Sequence, residues 1–178
     1  MLTFVIVCFI ATLVMHAMLG VPYVPTPLRV VRTMIGLVPF RGDETVYDLG
    51  CGDGRILIAA KKTHPGIRAI GCEIVPTVWV LAAVRRFFTR TDVTLHLRSV
   101  FAEDLRDADV IFLYIMPSLI ARLMPKFHRE LRAGTIIVCR SFPLPGMQPL
   151  NTQTLPWLGS TTSLFLYRWN QSAANTHA

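Results

Sequence analysis

Glycines at every second position, preceded by an acid, form the stretch of this sequence best suited to chemistry. Asp48 stands two residues before Gly50, and Gly52 and Gly54 follow at the same interval. Glycine tolerates positive φ and lets a ligand approach where a Cβ would block it. The acid would repel a pyrophosphate but would attract a cofactor with a cationic amino-acid head. The spacing also differs from the G-x-G-x-x-G of dinucleotide-binding loops.

The elements around this loop are predicted to be a strand, a turn and a helix. Residues 45–49 have the pattern of a β-strand, and the apolar run 56–60 predicts the helix that follows. The amides at the start of that helix would face the loop and favour an anionic group. We therefore predict a cofactor site in the loop, formed by Asp48, Gly50, Cys51, Gly52, Asp53 and Gly54.

A second acid, Glu73, follows the predicted second strand, residues 67–72, and lies 25 positions after Asp48. In open parallel sheets ligands bind beyond the carboxyl ends of the strands, where an acid can accept hydrogen bonds from both ribose hydroxyls. A lone acid at such a place is usually only solvated. Coupled to the glycine loop at this distance, Glu73 is interpreted as a ribose ligand.

The rest of the chain alternates strands and helices, which is typical of a parallel sheet covered on both faces. Residues 119–131 form the clearest helical pattern, with Arg122, Lys126 and Arg129 off its apolar stripe and therefore predicted to be solvated. A final pair of strands around a turn at 156–159 predicts an antiparallel hairpin. The further predicted segments are helix 77–88 and strands 93–97, 110–114, 135–139, 152–155 and 162–169.

The first 28 residues carry no charge, and residues 2–19 are almost wholly apolar. Eighteen helical residues span about 27 Å, close to the thickness of a bilayer's hydrocarbon core. The segment has neither the basic start nor the cleavage site of a cleaved signal peptide. As a buried core helix it would have no evident partner. We predict a single-pass membrane anchor over 1–20. The first charges after it are all basic, which favours an outside N-terminus and a cytoplasmic domain.

The remaining chain divides into a linker with a short helix over 21–43, one domain over 44–170 and a disordered polar tail over 171–178. The net charge is +7, and the four cysteines and five histidines have no metal-ligand spacing. We therefore predict no metal.

With these residues in hand, the glycine loop is similar to that of Rossmann-like methyltransferases that bind S-adenosylmethionine. The sequence as a whole resembles the membrane-anchored protein-lysine methyltransferase family that includes the mitochondrial enzymes modifying the ATP synthase c-subunit and the adenine nucleotide translocase. The resemblance covers about residues 21–149. Four stretches carry it: Pro-Tyr-Val-Pro-Thr at 22–26, Asp-Leu-Gly-Cys-Gly-Asp-Gly-Arg-Ile at 48–56, Gly-Cys-Glu-Ile-Val-Pro at 71–76, and Ile-Val-Cys-Arg at 137–140 with Phe-Pro at 142–143.

This resemblance implies a Rossmann-like methyltransferase sheet, S-adenosyl-L-methionine as cofactor, and a protein lysine on or near a membrane as acceptor. It also implies that the segment before the first helix closes over the cofactor, which adds Tyr23 and Thr26 to the binding residues. From the residues alone, these two are a linker residue and a helix N-cap.

One departure from the family pattern concerns the residue expected to contact the adenine of the cofactor. The family places an acid after the third strand, where this chain has Val100. Phe101 is then expected to pack on the adenine, with ordinary core packing as the alternative. Glu103 or Asp104 could replace the acid if the loop is longer.

The acceptor is expected beside Tyr114, which could orient an amine or be only a strand-end aromatic. An apolar pocket of Tyr114, Ile115 and Phe142 would lower the pKa of a lysine, ordinarily about 10.4. The chain has Tyr-Ile-Met-Pro at 114–117 instead of an (Asn/Asp/Ser)-Pro-Pro-(Tyr/Phe) motif, which argues against a nucleic-acid acceptor. A lipid-soluble small-molecule acceptor and a non-catalytic, membrane-bound cofactor-binding module are the alternatives.

Overall fold

The computed structural model describes residues 24–157 and 159–170. This part of the chain contains four helices and seven strands, which alternate as far as β3. They are α1 (Leu28–Gly36), β1 (Thr45–Leu49), α2 (Arg55–Thr63), β2 (Arg68–Glu73), α3 (Pro76–Thr89), β3 (Thr94–Leu97), β4 (Val110–Leu113), α4 (Pro117–Glu130), β5 (Ile136–Arg140), β6 (Asn151–Trp157) and β7 (Ser160–Arg168).

The strands form one sheet in the order β3-β2-β1-β4-β5-β7-β6. Strands β1 to β5 run parallel, and β7 is antiparallel to both β5 and β6. The predicted parallel sheet with an antiparallel C-terminal hairpin is therefore confirmed. The chain reverses its direction across the sheet at β1, which pairs with β2 on one side and β4 on the other. Such a switch point is where open α/β sheets bind ligands.

Both faces of the sheet are buried at the central strands β1, β4 and β5, as a parallel sheet requires. Side chains alternate along each strand, so Phe112 and Val138 join the core beneath α1 and α2, whereas Ile111 and Ile137 join the core beneath α4. This alternation explains why β4 and β5 are continuous apolar runs in the sequence.

The start of α1 differs from the prediction. Thr26 was expected to cap this helix, but Pro27 is its N-cap residue and no side chain caps it. Thr26 is buried, and its Oγ1 instead accepts a hydrogen bond of 2.9 Å from Nη1 of Arg140. A buried guanidinium needs acceptors, and this demand from β5 overrides the local capping preference.

The prediction that Lys126 on α4 is solvated is also wrong. Lys126 is buried, and its Nζ lies 2.6 Å from Oε2 of Glu130 one turn later. The aliphatic stem of lysine can be buried while its charge is paired, so this residue adds to the packing of α4.

The predicted anchor over 1–20, Tyr23 and the tail over 171–178 lie outside the described residues. Among residues 24–157 and 159–170, no helix has the length and apolarity to cross a bilayer.

Candidate active site

A cavity of about 530 Å³ opens beyond the carboxyl ends of β1, β2 and β4. It lies at the switch point of the sheet, and most of the described residues predicted for the site surround it. Those that line it are Thr26, Asp48, Gly50, Cys51, Gly52, Asp53, Glu73, Phe101 and Tyr114.

The glycine loop lies close against the ends of β2 and β4. Gly50, Gly52 and Gly54 have φ of 79°, 56° and 73°, a region that L side chains rarely adopt. The amides of Gly50 and Cys51 both donate to the carbonyl of Cys72 at 3.0 Å. A Cβ on Gly50 would lie 3.0 Å from Cγ2 of Ile115. The glycines therefore let the loop pack closely on these strands, while Gly50, Cys51 and Gly52 line the cavity.

Gly54 does not line this cavity. It is the N-cap residue of α2, and a Cβ built on it would face Ala82 of α3 at 3.6 Å. Its place in the glycine pattern reflects a backbone conformation and the packing of two helices. The prediction that Gly54 contacts the cofactor has no support in this geometry.

Asp53 lines the cavity, but its carboxylate is engaged elsewhere. Oδ2 lies 2.6 Å from Nη2 of Arg55 and 2.8 Å from Nη2 of Arg85. Burial alone would raise the pKa of Asp53, but the hydrogen bonds and charges of these two arginines lower it. Arg55 also donates to the carbonyl of Thr26 at 2.8 Å. Asp53 thus fastens the loop to α2, α3 and the segment before α1.

Asp48 presents an unsatisfied carboxyl group to the same cavity. The residue is 2% exposed, and its Oδ2 has no hydrogen-bond partner among the described residues. Burial, followed by the charges of Glu73 and Asp53, raises its pKa to about 8. An isolated buried carboxylate is costly, so Asp48 fits a cationic group that enters the cavity and pairs with it.

Glu73 is held in one orientation by backbone amides. Its Oε1 accepts hydrogen bonds from Ile74 at 2.8 Å and Val75 at 2.9 Å, and its Oε2 accepts one from Gly52 at 3.1 Å. The carboxylate is acceptor-only and retains lone pairs toward the cavity. It is suited to hydroxyl donors, in agreement with the predicted ribose role.

The wall opposite the loop contains Val100 and Phe101. The guanidinium of Arg122 lies 4.8 Å from the centre of the Phe101 ring and lines the cavity. The residue is exposed, as predicted. Glu103 is buried and bonds to a histidine of β3, and the side chain of Asp104 is 57% exposed. Neither lines this cavity, so the idea that one of them replaces the missing acid is wrong.

Tyr114 lines the cavity directly after β4, beside the glycine loop. It packs against Arg140, which was not among the predicted site residues. The guanidinium carbon of Arg140 is 4.0 Å from the centre of the Tyr114 ring and 5.1 Å from that of Trp157. Arg140 is 1% exposed, and its Nη2 has no hydrogen-bond partner among the described residues. Burial lowers its pKa, although the Tyr114 side chain opposes this effect. Two signals in the sequence pointed to it: a basic residue at the end of a predicted buried strand, and its place in the Ile-Val-Cys-Arg stretch at 137–140 that carries the family resemblance.

The three described cysteines, Cys51, Cys72 and Cys139, are buried, and burial raises the pKa of each thiol. Over residues 24–157 and 159–170, no three His, Cys, Asp or Glu side chains converge as metal ligands. The absence of a metal stays a prediction.

Known proteins are similar to this chain in sequence and fold. Residues 48–151 match the family model of the ANTKMT methyltransferase domain. The chain is 36% identical over 131 residues to a protein-lysine N-methyltransferase of Saccharolobus islandicus, covering 72% of this chain and 81% of the relative. It is 35% identical over 137 residues to the adenine nucleotide translocase lysine N-methyltransferase of Mus musculus, covering 74% of this chain but only 58% of that relative.

A solved structure is similar as well. It is the crystal structure of an RNA methyltransferase from Salinibacter ruber in complex with S-adenosyl-L-homocysteine, with a TM-score of 0.71 and 33% identity. The match covers 80% of this chain and 93% of that chain. The resemblance inferred from the glycine loop and the Pro-Tyr segment is thereby confirmed.

Proposed function

The chain belongs to the ANTKMT methyltransferase domain family, and we propose that it methylates a lysine side chain of a protein on or near a membrane. S-adenosylmethionine is the methyl donor. The observation that carries the proposal is one cavity lined by two chemically different groups. One is the buried carboxyl group of Asp48, whose Oδ2 has no hydrogen-bond partner among the described residues, and the other is the aromatic ring of Tyr114 after the neighbouring strand β4.

The residues near the glycine loop fit the cofactor. Asp48 would pair with its ammonium group, and the opened backbone at Gly50 and Gly52 would lie against its amino-acid part. Glu73 would accept hydrogen bonds from the ribose hydroxyls. The adenine would pack on Phe101, since no acid lines this part of the cavity. When bound, S-adenosylmethionine supplies a methyl group on an activated sulfonium.

The part of the cavity lined by Tyr114, Ile115 and Phe142 is suited to an amine in its neutral form. A lysine must lose its proton to water before its nitrogen can form the new C–N bond as the C–S bond breaks. The apolar walls of Ile115 and Phe142 disfavour the ammonium form by desolvation. The buried charge of Arg140 behind the Tyr114 ring acts in the same direction. No dedicated base is required, because alignment and exclusion of water are the main contributions of the protein.

The acceptor class can be tested directly. The purified full chain is incubated with S-adenosylmethionine carrying a labelled methyl group and a membrane extract, which is then treated with protease, with ribonuclease or with organic solvent. We expect protease-sensitive label that amino-acid analysis recovers as methyl-lysine. Label that partitions into organic solvent would indicate a lipid-soluble acceptor. The Asp48→Asn variant provides the control for background labelling.

RNA is a second candidate acceptor, because the structurally similar protein from Salinibacter ruber is an RNA methyltransferase. Ribonuclease-sensitive label in the same experiment would favour it over lysine. Calorimetry with S-adenosylhomocysteine tests the cofactor site independently of the acceptor class. Binding without any transfer would support a non-catalytic module, and absence of binding would contradict the cofactor site itself.

The proposed location rests on the sequence before the described domain. An uncharged segment over 1–20 followed by Arg29, Arg32 and Arg41 favours a single span with a cytoplasmic domain. Carbonate extraction of membranes tests the span, and protease protection of sealed vesicles tests the side. A chain released by carbonate would contradict the anchor and leave the cofactor site unaffected.

A further inference from the structure

The outward face of α3 carries large apolar side chains from Val80 to Phe88. Phe87 and Phe88 are 77% and 78% exposed, and Val80, Leu81 and Val84 are exposed as well. A helix turns by about 100° per residue, so positions 80, 84 and 87 share one side and 81 and 88 lie next to it. Five large apolar side chains on one face indicate a contact surface. We call these five residues the α3 outer face.

The charges beside this face are basic. The helix contains Arg85 and Arg86 and no acid, and Arg90 follows at its C-cap. Arg85 reaches inward to Asp53 at 2.8 Å, whereas Arg86 and Arg90 are exposed. The nearest acid along the chain is Asp92, whose Oδ2 lies 3.9 Å from Nζ of Lys61. Positive charge therefore borders the apolar residues, although Nη1 of Arg86 also donates to the carbonyl of Val93 at 3.1 Å.

We propose that the α3 outer face docks on a membrane surface that carries anionic lipids. A convex helix with apolar residues outward and arginines at its edges has the pattern of an interfacial membrane helix. Phe87 and Phe88 would insert between the headgroups, while Arg86 and Arg90 would pair with anionic lipid. A second copy of the chain fits less well, because a two-fold contact would bring two arginine-edged surfaces together.

Docking on this face would bring the cavity close to the bilayer. Helix α3 begins at the rim, where Ile74, Val75 and Val78 line the cavity. An acceptor held at the membrane could then reach the cavity without leaving the surface. This inference depends neither on the acceptor class nor on the predicted anchor.

The test places a reporter on the face itself. Val84→Cys is introduced into the full chain together with Cys8→Ser and labelled with a polarity-sensitive fluorophore. The other cysteines are buried. We expect a blue shift with vesicles of phosphatidylcholine containing about 30% phosphatidylserine, and a weaker one with phosphatidylcholine alone. A matched label at Gln153→Cys, exposed on β6, should not respond.

Two variants keep the result interpretable. Phe87→Ser/Phe88→Ser should weaken the vesicle response of the Val84 label about tenfold or more, with S-adenosylhomocysteine binding retained as the control for folding. Arg86→Gln/Arg90→Gln should weaken it about fivefold per arginine, and only on anionic vesicles. A label that stays in water while the chain floats with the vesicles would overturn the proposal. A concentration-dependent shift without lipid would overturn it in favour of self-association.

Discussion

Arg140 and Tyr114 form a buried stack in which the guanidinium carbon lies 4.0 Å from the centre of the ring. Nη1 of the same arginine donates to Thr26, 114 positions earlier in the chain. One side chain therefore joins the end of β5, the loop after β4 and the segment before α1. These three segments surround the cavity, so we infer that Arg140 positions the groups that enclose the two reactants.

Replacing Arg140 should separate activity from stability. Arg140→Met keeps much of the volume and removes a buried charge for which the described residues provide no carboxylate. We expect the free energy of unfolding to change by no more than about 2 kcal/mol, because the lost stacking and the relieved desolvation offset each other. We expect kcat to fall by about tenfold or more, since Tyr114 and Thr26 lose their common support. Thermal melting and single-turnover transfer measure the two quantities.

Arg140→Lys is the matched control. Lysine keeps the charge but lacks the planar group that stacks on a ring, so we expect intermediate activity. Equal losses of activity and stability in Arg140→Met would contradict a positioning role and indicate simple destabilisation.

The sequence predicted the features that depend on local pattern and missed those that depend on distant contacts. The glycine loop, Glu73 and the alternating strands follow from spacing and hydrophobic periodicity. The burial of Arg140 and Lys126 was not predicted, because a charged residue on a strand or helix is normally exposed. Arg140 is buried because the rings of Tyr114 and Trp157, supplied by other segments, enclose it. Gly54 shows the opposite case, a residue in the motif whose position serves helix packing.

Cofactor binding should release a proton from Asp48. With a pKa of about 8 in the free protein, this carboxyl is about 90% protonated at pH 7. A cationic ligand favours the carboxylate, so binding of S-adenosylhomocysteine should release close to one proton. Its affinity should rise up to about tenfold between pH 6 and pH 7 and level off above pH 8. Calorimetry at pH 7 in buffers of different ionisation enthalpy measures the release.

The exposed Asp92→Asn variant serves as the control and should release the same number of protons as the unaltered chain. A binding enthalpy that is independent of the buffer would show that Asp48 is already ionised in the free protein.

The same carboxyl should reduce the stability of the cofactor-free protein at alkaline pH. Its pKa in the fold lies above the value of about 3.9 for the unfolded chain. The contribution of Asp48 to the free energy of unfolding is therefore complete below pH 4. It is lost as the pH rises to about 8. Asp48→Asn should raise the free energy of unfolding by about 1–3 kcal/mol at pH 8 and have little effect at pH 4. Urea unfolding at both pH values tests this, and a variant less stable at pH 8 would contradict it.

Glu73→Gln should weaken cofactor binding without unfolding the domain. The carboxylate accepts hydrogen bonds from the amides of Gly52, Ile74 and Val75. A glutamine would turn a donor toward at least one of these amides and lose a ribose acceptor. We expect the Kd for S-adenosylhomocysteine to rise about 30-fold or more, which corresponds to about 2 kcal/mol. Asp104→Asn, an exposed acid outside the cavity, should leave the Kd unchanged.

Gly71→Ala tests how closely the glycine loop packs on β2. A Cβ at Gly71 would lie 2.7 Å from Cδ1 of Leu57 and 2.8 Å from Sγ of Cys51, closer than real contacts allow. Because both neighbours are buried, the added methyl should reduce the free energy of unfolding by about 1–3 kcal/mol. It should also push Cys51 toward the cavity and weaken cofactor binding. Gly36→Ala, whose Cβ would meet nothing within 4 Å at the end of α1, should be neutral or stabilising by about 0.5–1 kcal/mol. Urea unfolding compares the two variants, and equal stability would mean that β2 can move away from the loop without cost.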